Sequence, residues 1–476
     1  MITALSGQLD STDQSQSFDA LQRSAADPER LVLLTGATVV TMDPSLGVLE
    51  RGSVLIRGSH IVDVGRDLQL DQAITIDVSG SIVAPGMIDT HRHAWQAQMR
   101  RTIPDVDDLM GYLQATLVRV APAYGPEDIS IGTRLAALTA LDGGITTMLD
   151  FSHNARTGAH SDAAITALME SGIRGVHASM APHFGDWDGQ WPHDLHRLRS
   201  TYVPSDDQLV TLRLAALATP DIAGERLAFG PELAELARDL DIGVSLDVMF
   251  GPAASAAIVD WEAQGLLGPH IESIHSTALS GRAWAAMRDH GVTVSLAPTS
   301  DAQIGLEDGV PPVDEALAHG IRPGLSVDVE VALASDLFTQ MRGLLTIQRM
   351  RAVNAAYGSL EEPLRITTHD VFDFATLSGA RTLQLHDRVG SITPGKQADL
   401  IVVDAEAINT MPLHDAIGTL VLGADRANIS SVWVAGHVRK WGGQLVGVDV
   451  DALRAQVHDS VAAIAGRLAA TEARDQ

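Results

Sequence analysis

Two histidines, His91 and His93, end an apolar run and have the spacing of a pair of metal ligands. The run reads IVAPGMIDTHRH over residues 82–93. In an extended strand, side chains at positions i and i+2 point to the same face, so both imidazoles can reach one ion. A His-x-His pair also arises by chance in a chain with 18 histidines. The motif alone therefore leaves a metal site and a pair of ordinary structural histidines as alternatives.

Three more polar residues lie in other apolar, strand-like runs: Asp247 in VSLDV, His275 in IHS and Asp328 in SVDV. Each has an ordinary structural explanation, because Asp often caps a helix and a lone His often bonds a backbone carbonyl. The chain contains no cysteine, so His, Asp and Glu are the strong metal ligands that it offers. Together with His91 and His93, these residues indicate a metal site built from several strands.

The runs that must position these residues alternate with helical segments between about residues 84 and 392. This alternation predicts βα units and a parallel sheet. Eight such units in roughly 300 residues fit a TIM barrel, in which the chemistry lies at the C-terminal ends of the strands. The eight predicted strands are MIDTH, TTMLD, GIRGVHAS, LRLAALA, GVSLDV, ESIHS, VTVSLAP and GLSVDV.

Both ends of the ordered chain carry short β-branched runs broken by Gly, Asp and Pro, which predicts a small β-sandwich assembled from N- and C-terminal segments. The fold class is therefore α/β, a distorted TIM (β/α)8 barrel with this second domain. The first residues are rich in Ser, Asp and Gln and predict a mobile tail, whereas the last ones have an apolar helical face. The predicted regions are the tail, the N-terminal sandwich segment, the barrel, the C-terminal sandwich segment and a C-terminal helix, at 1–29, 30–84, 85–390, 391–447 and 448–476.

Composition excludes several classes of function. The chain has 33 basic and 60 acidic residues among 476, a net charge of −27 that repels phosphate backbones and anionic membranes. We therefore expect no nucleic-acid partner. The N-terminus lacks a basic start and an apolar stretch, and no run approaches the length that spans a bilayer. We expect no membrane association and a cytoplasmic location.

Two motifs in the right order resemble the amidohydrolase superfamily, in particular its cytosine deaminase-like branch of triazine and chlorohydrolase enzymes. APGMIDTHRH resembles the first metal strand of that family. VGSITPGKQADLIVVD, MPLHDAIGTL and VWVAGHVRKWGGQLV resemble its C-terminal signature. The likeness covers about residues 31–447.

The resemblance implies a role for each matched residue. It makes His91 and His93 metal ligands, and it makes Asp328 a ligand or near-ligand that accepts a proton from water. His275 matches the strand-six histidine, which is a ligand or orients the metal-bound water or the substrate. A divalent ion lowers the pKa of bound water from 15.7 toward ~7, so hydroxide becomes available at neutral pH. A nearby carboxylate can then pass the proton to the leaving nitrogen.

Strand five departs from the family pattern. The family has a His followed three residues later by a proton-shuttling Glu, whereas this chain has Asp247 and Phe250 at those positions. Asp247 can still bind metal through a carboxylate oxygen, although the added charge favours harder ions such as Mn or Fe. The alternative is a buried Asp held by an Arg or by backbone amides.

Other residues are candidates for the missing acid and for substrate contacts. Glu330 lies two positions after Asp328 and would face the pocket if the strand stays extended. A solvated loop position is its alternative. The candidate substrate-binding residues follow strands one, two, three and seven, and each has core packing or helix capping as its alternative: Trp95, Gln96, His153, His183 and Asp301.

We predict a metal-dependent hydrolase that attacks a carbon–nitrogen bond of a small cyclic nitrogen compound through metal-activated water. The expected cofactor is one divalent ion, with zinc first and Fe or Mn as alternatives. Family members commonly form dimers or larger assemblies, so we expect a homo-oligomer, a dimer or tetramer. Because the shuttle Glu is absent, cleavage of an amide, carbamate or urea-like bond stands beside deamination. The rival functions are a degenerate amidohydrolase that acts as a binding or assembly protein, and a metal-dependent lyase or cyclase.

Overall fold

The computed structural model describes residues 11–306, 309–358 and 364–474. The chain divides into two compact units. Unit 1 consists of Met1–Gly86 and Asp387–Val446, and unit 2 consists of Met87–His386 and Gly447–Gln476. Among the described residues, no helix has the length and the apolar character that crossing a membrane requires.

The strands form three groups along the chain, of which the first and third belong to unit 1 and the second to unit 2. They are β1 (Leu31–Val40), β2 (Val48–Arg57), β3 (His60–Arg66), β4 (Ile74–Asp77) and β5 (Ser81–Pro85); β6 (Met87–Arg92), β7 (Ile145–Ser152), β8 (Arg174–Ser179), β9 (Val210–Leu217), β10 (Gly243–Val248), β11 (Ile271–His275), β12 (Thr293–Leu296) and β13 (Gly324–Leu325); β14 (Leu400–Asp404), β15 (Ile429–Val434), β16 (His437–Trp441) and β17 (Gln444–Leu445).

The helices lie mainly between the strands of the second group. They are α1 (Ser11–Arg23), α2 (Leu109–Tyr112), α3 (Pro126–Asp142), α4 (Gly158–Ser171), α5 (Asp194–Tyr202), α6 (Pro231–Asp239), α7 (Gly251–Ala263), α8 (Gly281–His290), α9 (Pro298–Gln303), α10 (Val313–Ala318), α11 (Leu337–Tyr357), α12 (Thr368–Phe374), α13 (Leu377–Thr382), α14 (Ala416–Gly418) and α15 (Val450–Glu472).

Unit 2 is a closed barrel of eight parallel strands, in the order β6 to β13 around the ring. All eight predicted barrel strands overlap observed ones, because each is a short apolar run bounded by helix stops and turns, although GLSVDV is a strand only at Gly324–Leu325. The stop at Gly143-Gly144 is one example: α3 ends at Asp142, and Gly144 takes a positive φ of 81° before β7 begins.

Unit 1 is a sheet built from both ends of the chain, in the order β17-β16-β15-β14-β5-β1-β2-β3, with β4 paired to β1. Most neighbours are antiparallel, and β5 and β14 join the N- and C-terminal segments. The parallel barrel and the separate sheet from both termini confirm the predicted α/β fold class.

The segment that we expected to be a mobile tail contains helix α1, and its first ten residues lie outside the described residues. Leu21 of α1 is 1% exposed and belongs to the apolar core of unit 1. Phe18 stacks on Trp441 with ring centroids 5.6 Å apart. The polar composition of this segment concealed two apolar side chains, one helical turn apart, that dock the helix.

Candidate metal centre and substrate pocket

His91, the penultimate residue of β6, and His93, just after it, direct their Nε2 atoms at the same carboxylate. The Oδ1 atom of Asp328 lies 3.1 Å from Nε2 of His91 and 3.2 Å from Nε2 of His93. All three residues are buried. The i, i+2 spacing thus brings both imidazoles to one point, as the sequence predicted.

Asp247 from β10 and His275 from β11 approach that point from the opposite side. Oδ1 of Asp247 lies 3.8 Å from Nε2 of His91 and 3.9 Å from Nε2 of His275. Two overlapping triads result, each with ligand atoms within 4.8 Å of one another: His91, Asp247 and His275, and His91, His93 and Asp328. This spacing suits one cation at the centre of five ligand atoms.

Oδ1 of Asp247 is buried and has no hydrogen-bond partner among the described residues. A buried carboxylate oxygen without a partner is costly, and a bound cation would remove that cost. Unpaired Asp247 and the convergent Nε2 atoms therefore fit a divalent metal ion. The alternative from the sequence, a carboxylate held by an Arg or by backbone amides, has no counterpart at this oxygen within the described chain.

Two of the histidines use Nδ1 for a hydrogen bond outside the cluster. Nδ1 of His93 lies 3.1 Å from the carbonyl oxygen of Phe151, which can only accept, so Nδ1 carries a proton. Nδ1 of His275 lies 2.7 Å from Oδ1 of Asp301. In both residues Nε2 is therefore the nitrogen that faces the cluster and could bind a metal ion.

The electrostatics keep the Asp328 carboxylate charged. Burial alone would raise the pKa of Asp328, but the hydrogen bonds from His91 and His93 hold it well below its ordinary value. Burial would also lower the pKa of His275, yet the Asp301 carboxylate outweighs it and raises that pKa to about 9. The carboxylates and the imidazoles of the cluster therefore stabilise each other's charged forms.

The backbone at Asp328 differs from the extended strand that we expected. Strand β13 ends at Leu325, and Asp328 has a positive φ of 63°. Its N–H donates to the carbonyl of His91 at 2.9 Å, and its own carbonyl accepts from the N–H of His93 at 3.2 Å. These bonds hold the Asp328 loop directly against the His-x-His segment.

The expectation that Glu330 faces the pocket is corrected by the structure. Both of its carboxylate oxygens are engaged, one by Arg92 at 2.7 Å and the other by Arg100, and the side chain is fully buried. Because Asp328 has a left-handed backbone conformation, the i, i+2 alternation of a strand does not continue past it. Glu330 consequently points to the middle residue of His91-Arg92-His93, whose guanidinium also donates to Asp89 at 2.7 Å.

The cluster opens into a narrow pocket that is lined by two of the predicted substrate residues, His153 and His183. The ring centroid of His153 lies 4.1 Å from that of His93 and 4.9 Å from that of His183. Burial lowers the pKa of His153 well below its ordinary value and that of His183 to about 4. Both rings are therefore neutral at neutral pH and offer a donor and an acceptor each.

The other three predicted substrate residues do not line the pocket. Trp95 is fully buried and packs edge-on against Tyr124 at 4.9 Å. Gln96 donates from Nε2 to the hydroxyl of Tyr112 at 2.8 Å, and Asp301 holds His275. Gln96 and Asp301 thus contact residues that line the pocket but do not line it themselves.

Ten further described residues line the pocket and were not predicted from the sequence. Ser300 donates to Oδ2 of Asp328, and its position beside Asp301 was the available signal. The sequence signal for the segment around Tyr112 is weaker: the segment is an apolar run that follows strand β6. These lining residues are Leu109, Tyr112, Leu113, Leu117, Ile222, Met249, Ser300, Ile304, Leu306 and Val329.

Residues 82–439 match the model described as the amidohydrolase family. Among curated proteins, the chain is 29% identical over 443 residues to a 5-methylthioadenosine/S-adenosylhomocysteine deaminase of Symbiobacterium thermophilum, covering 86% of this chain and 93% of the relative. It is 25% identical over 428 residues to a 5'-deoxyadenosine deaminase of Methanosarcina mazei, covering 86% and 92%.

Among solved structures, the chain resembles a zinc-bound adenosine deaminase of Xanthomonas campestris with a TM-score of 0.77 and 24% identity, covering 91% of this chain and 98% of the other. It also resembles a mutant atrazine chlorohydrolase of Arthrobacter aurescens in complex with zinc and atraton, with a TM-score of 0.76, 24% identity and coverage of 91% and 100%. The family match confirms the resemblance drawn from the sequence and, with it, the class of metal-dependent hydrolase acting on carbon–nitrogen bonds. The ligand cluster supports a divalent metal as the cofactor.

Proposed function

The chain belongs to the amidohydrolase family, and from that membership we propose that it hydrolyses a carbon–nitrogen bond of a small cyclic nitrogen compound at one metal ion. The observation that carries the proposal is the unpaired Oδ1 of Asp247 facing the convergent Nε2 atoms of His91 and His275. The proposed metal ligands are His91, His93, Asp247, His275 and Asp328.

Zinc is the proposed ion, with Fe and Mn as alternatives because two of the five ligands are carboxylates. A bound divalent ion supplies a Lewis acid that makes hydroxide available at neutral pH. Asp328 is ionised in this environment, so its carboxylate can accept the proton of the attacking water. Ser300 orients Asp328 through its hydrogen bond to Oδ2.

Proton delivery to the leaving nitrogen is also assigned to Asp328. Phe250 stands where the resembled family has its shuttle Glu, and it carries no proton. Glu330 is committed to Arg92 and Arg100 and acts as a positioning residue instead. His153 and His183 are proposed to bind the substrate ring through their nitrogens. Trp95 and Gln96 are proposed to support the pocket, and Asp301 is proposed to position His275.

Two reactions fit this arrangement. The relatives are named as deaminases of methylthioadenosine, S-adenosylhomocysteine and 5'-deoxyadenosine, which favours removal of a ring amino group. The missing shuttle Glu favours the second, cleavage of an amide, carbamate or urea-like bond. We further propose a cytoplasmic homo-oligomer, a dimer or tetramer, that binds no nucleic acid, the last on the basis of the net charge of −27.

The test begins with elemental analysis of protein purified without added metal, for which we expect about one ion per chain. The loaded protein is then assayed for ammonia release from methylthioadenosine and for hydrolysis of cyclic amides and ureas in ¹⁸O-labelled water. His91→Ala should lose both metal and turnover, whereas His60→Ala, at an exposed position of unit 1, should keep both.

Each outcome separates the proposal from its rivals. Absence of metal, with no gain on reconstitution, would indicate the binding protein. Turnover with metal but without ¹⁸O in the product would indicate a lyase or cyclase. Full activity in His91→Ala would refute the proposed site.

A further inference from the structure

The pocket above the proposed metal ligands has a large apolar wall. In the described residues, its lining contains four histidines, two aspartates, one serine and one tyrosine beside apolar side chains, and neither lysine nor arginine. The apolar wall is formed by eight residues: Leu109, Leu113, Leu117, Ile222, Met249, Ile304, Leu306 and Val329. A substrate substituent that points away from the metal therefore meets hydrocarbon.

The lysine content of the barrel is consistent with this lining. The entire chain contains two lysines, Lys396 and Lys440, and both belong to unit 1. No lysine of unit 2 is thus available to enter the pocket in another loop conformation.

Three arginines near the pocket, Arg92, Arg100 and Arg156, are already engaged. Arg92 and Arg100 pair with Glu330. Arg156 donates to the backbone carbonyls of Ala121, Phe184 and Asp186, which fastens the loop that carries His183. These guanidiniums stabilise the protein and do not reach a ligand.

Resting on the hydrolase function proposed above, we infer that the substrate is an uncharged nitrogen ring with apolar or neutral polar substituents, and that the pocket rejects rings bearing a carboxylate or phosphate. The two aspartates can balance a divalent ion, and the side chains of His153 and His183 can bind ring nitrogens and exocyclic amino or oxo groups. Within the described lining, no lysine or arginine would compensate for the water lost by an anionic substituent. Burial of an unpaired carboxylate is strongly unfavourable, so we expect discrimination of about 100-fold or more.

The first experiment measures binding, so that its result does not depend on turnover. Zinc-loaded protein is titrated by calorimetry and ligand-detected NMR with two matched probes, a 2-aminopyrimidine bearing a carboxamide and the same ring bearing a carboxylate. The inference expects the carboxamide probe to bind about 100-fold more tightly than the carboxylate probe. Equal affinities for the two probes, or no binding by the carboxamide probe, would overturn it.

Turnover of the same probes is measured separately. Selective binding of the carboxamide probe without hydrolysis would refute the proposed function and leave the inference standing. Hydrolysis of both probes at similar kcat/KM would support the proposed function and refute the inference.

A variant pair tests whether the missing cation causes the selectivity. Ile222 lines the pocket from the turn after β9 and is half-buried, so a longer side chain there has room to adjust. Ile222→Arg should raise the affinity for the carboxylate probe about tenfold or more, while Ile222→Gln, similar in polarity but uncharged, should not. Equal affinity for that probe in the two variants would contradict the inference.

Discussion

His275 and Asp301 form a buried pair in which the imidazole Nδ1 lies 2.7 Å from the carboxylate Oδ1. The pair fixes the plane of the ring and leaves Nε2 to face Asp247 and Asp328. Asp301 follows β12 and His275 ends β11, so two neighbouring strands of the barrel together position one proposed ligand. Partners of this kind orient a ligand histidine and raise its basicity.

Asp301→Asn should therefore weaken metal binding or kcat/KM by about 10- to 100-fold, because the amide keeps the shape but loses the charge. Metal affinity is measured by competition with a chromogenic chelator, and kcat/KM with the substrate found by the assays above. Asp289→Asn, at an exposed ion pair with Arg288, is the matched control and should change neither. Equal values for the two variants would mean that Asp301 has only a structural role.

Whether Asp247 binds the metal can be tested by removing its carboxylate or replacing it with an imidazole. Asp247→Ala should lower metal affinity by about tenfold or more, since one of the proposed ligands is lost. Asp247→His should restore most of it, because imidazole is also a good ligand for zinc. Asp260→Ala, on the exposed face of α7, serves as the control. Undiminished affinity in Asp247→Ala would place this carboxylate outside the metal site.

Glu330 is predicted to support stability and the geometry of the site. Glu330→Gln removes the charge shared by Arg92 and Arg100, and the free energy of unfolding should fall by about 3–5 kcal/mol. Glu472→Gln breaks the exposed pair with Arg119 and should cost at most about 1 kcal/mol. Urea denaturation of metal-free protein measures both. Similar small losses would show that the buried network is not needed for folding.

Glu272, on β11, predicts a pH dependence of stability. Burial raises its pKa from 4.5 to about 7, although Arg213 and a hydrogen bond from Ser245 oppose this. The unfolded chain therefore releases this proton at lower pH than the folded chain, and the stability due to Glu272 falls as pH rises from about 4.5 to about 7. The loss should be about 3 kcal/mol.

The measurement compares wild type with Glu272→Gln by urea denaturation of chelator-treated protein at several pH values. The variant cannot ionise at this position, so the wild type should become less stable relative to it as the pH increases from 5 to 8. A constant difference across this range would contradict the shifted pKa.

Much of the barrel could be predicted because its signal is local. Each strand is a short apolar run, and helix stops such as Gly143-Gly144 separate the units. The cluster of His91, His93, Asp247, His275 and Asp328 followed from one rule, that polar residues near the ends of parallel strands meet at one rim.

The errors arise where the backbone leaves regular structure or where partners come from distant segments. The rule of alternation placed Glu330 beside Asp328, but the positive φ at Asp328 redirects the chain. Tyr112, the last residue of the short helix α2, lines the pocket and accepts a hydrogen bond from Gln96, 16 residues earlier. Neither the dihedral nor the tertiary contact leaves a periodic signature in the sequence.

The positive φ values at His275 and Asp328, 62° and 63°, bring a conflict between stability and activity into the site. Side chains with a Cβ rarely adopt this conformation, and glycine would adopt it without strain. Glycine at either position would relieve this strain, but it would also remove a proposed ligand and its buried hydrogen bonds. Any programme that evolves this scaffold for heat tolerance should hold both codons fixed, since the change that relieves the strain and the loss of the proposed ligand are the same mutation.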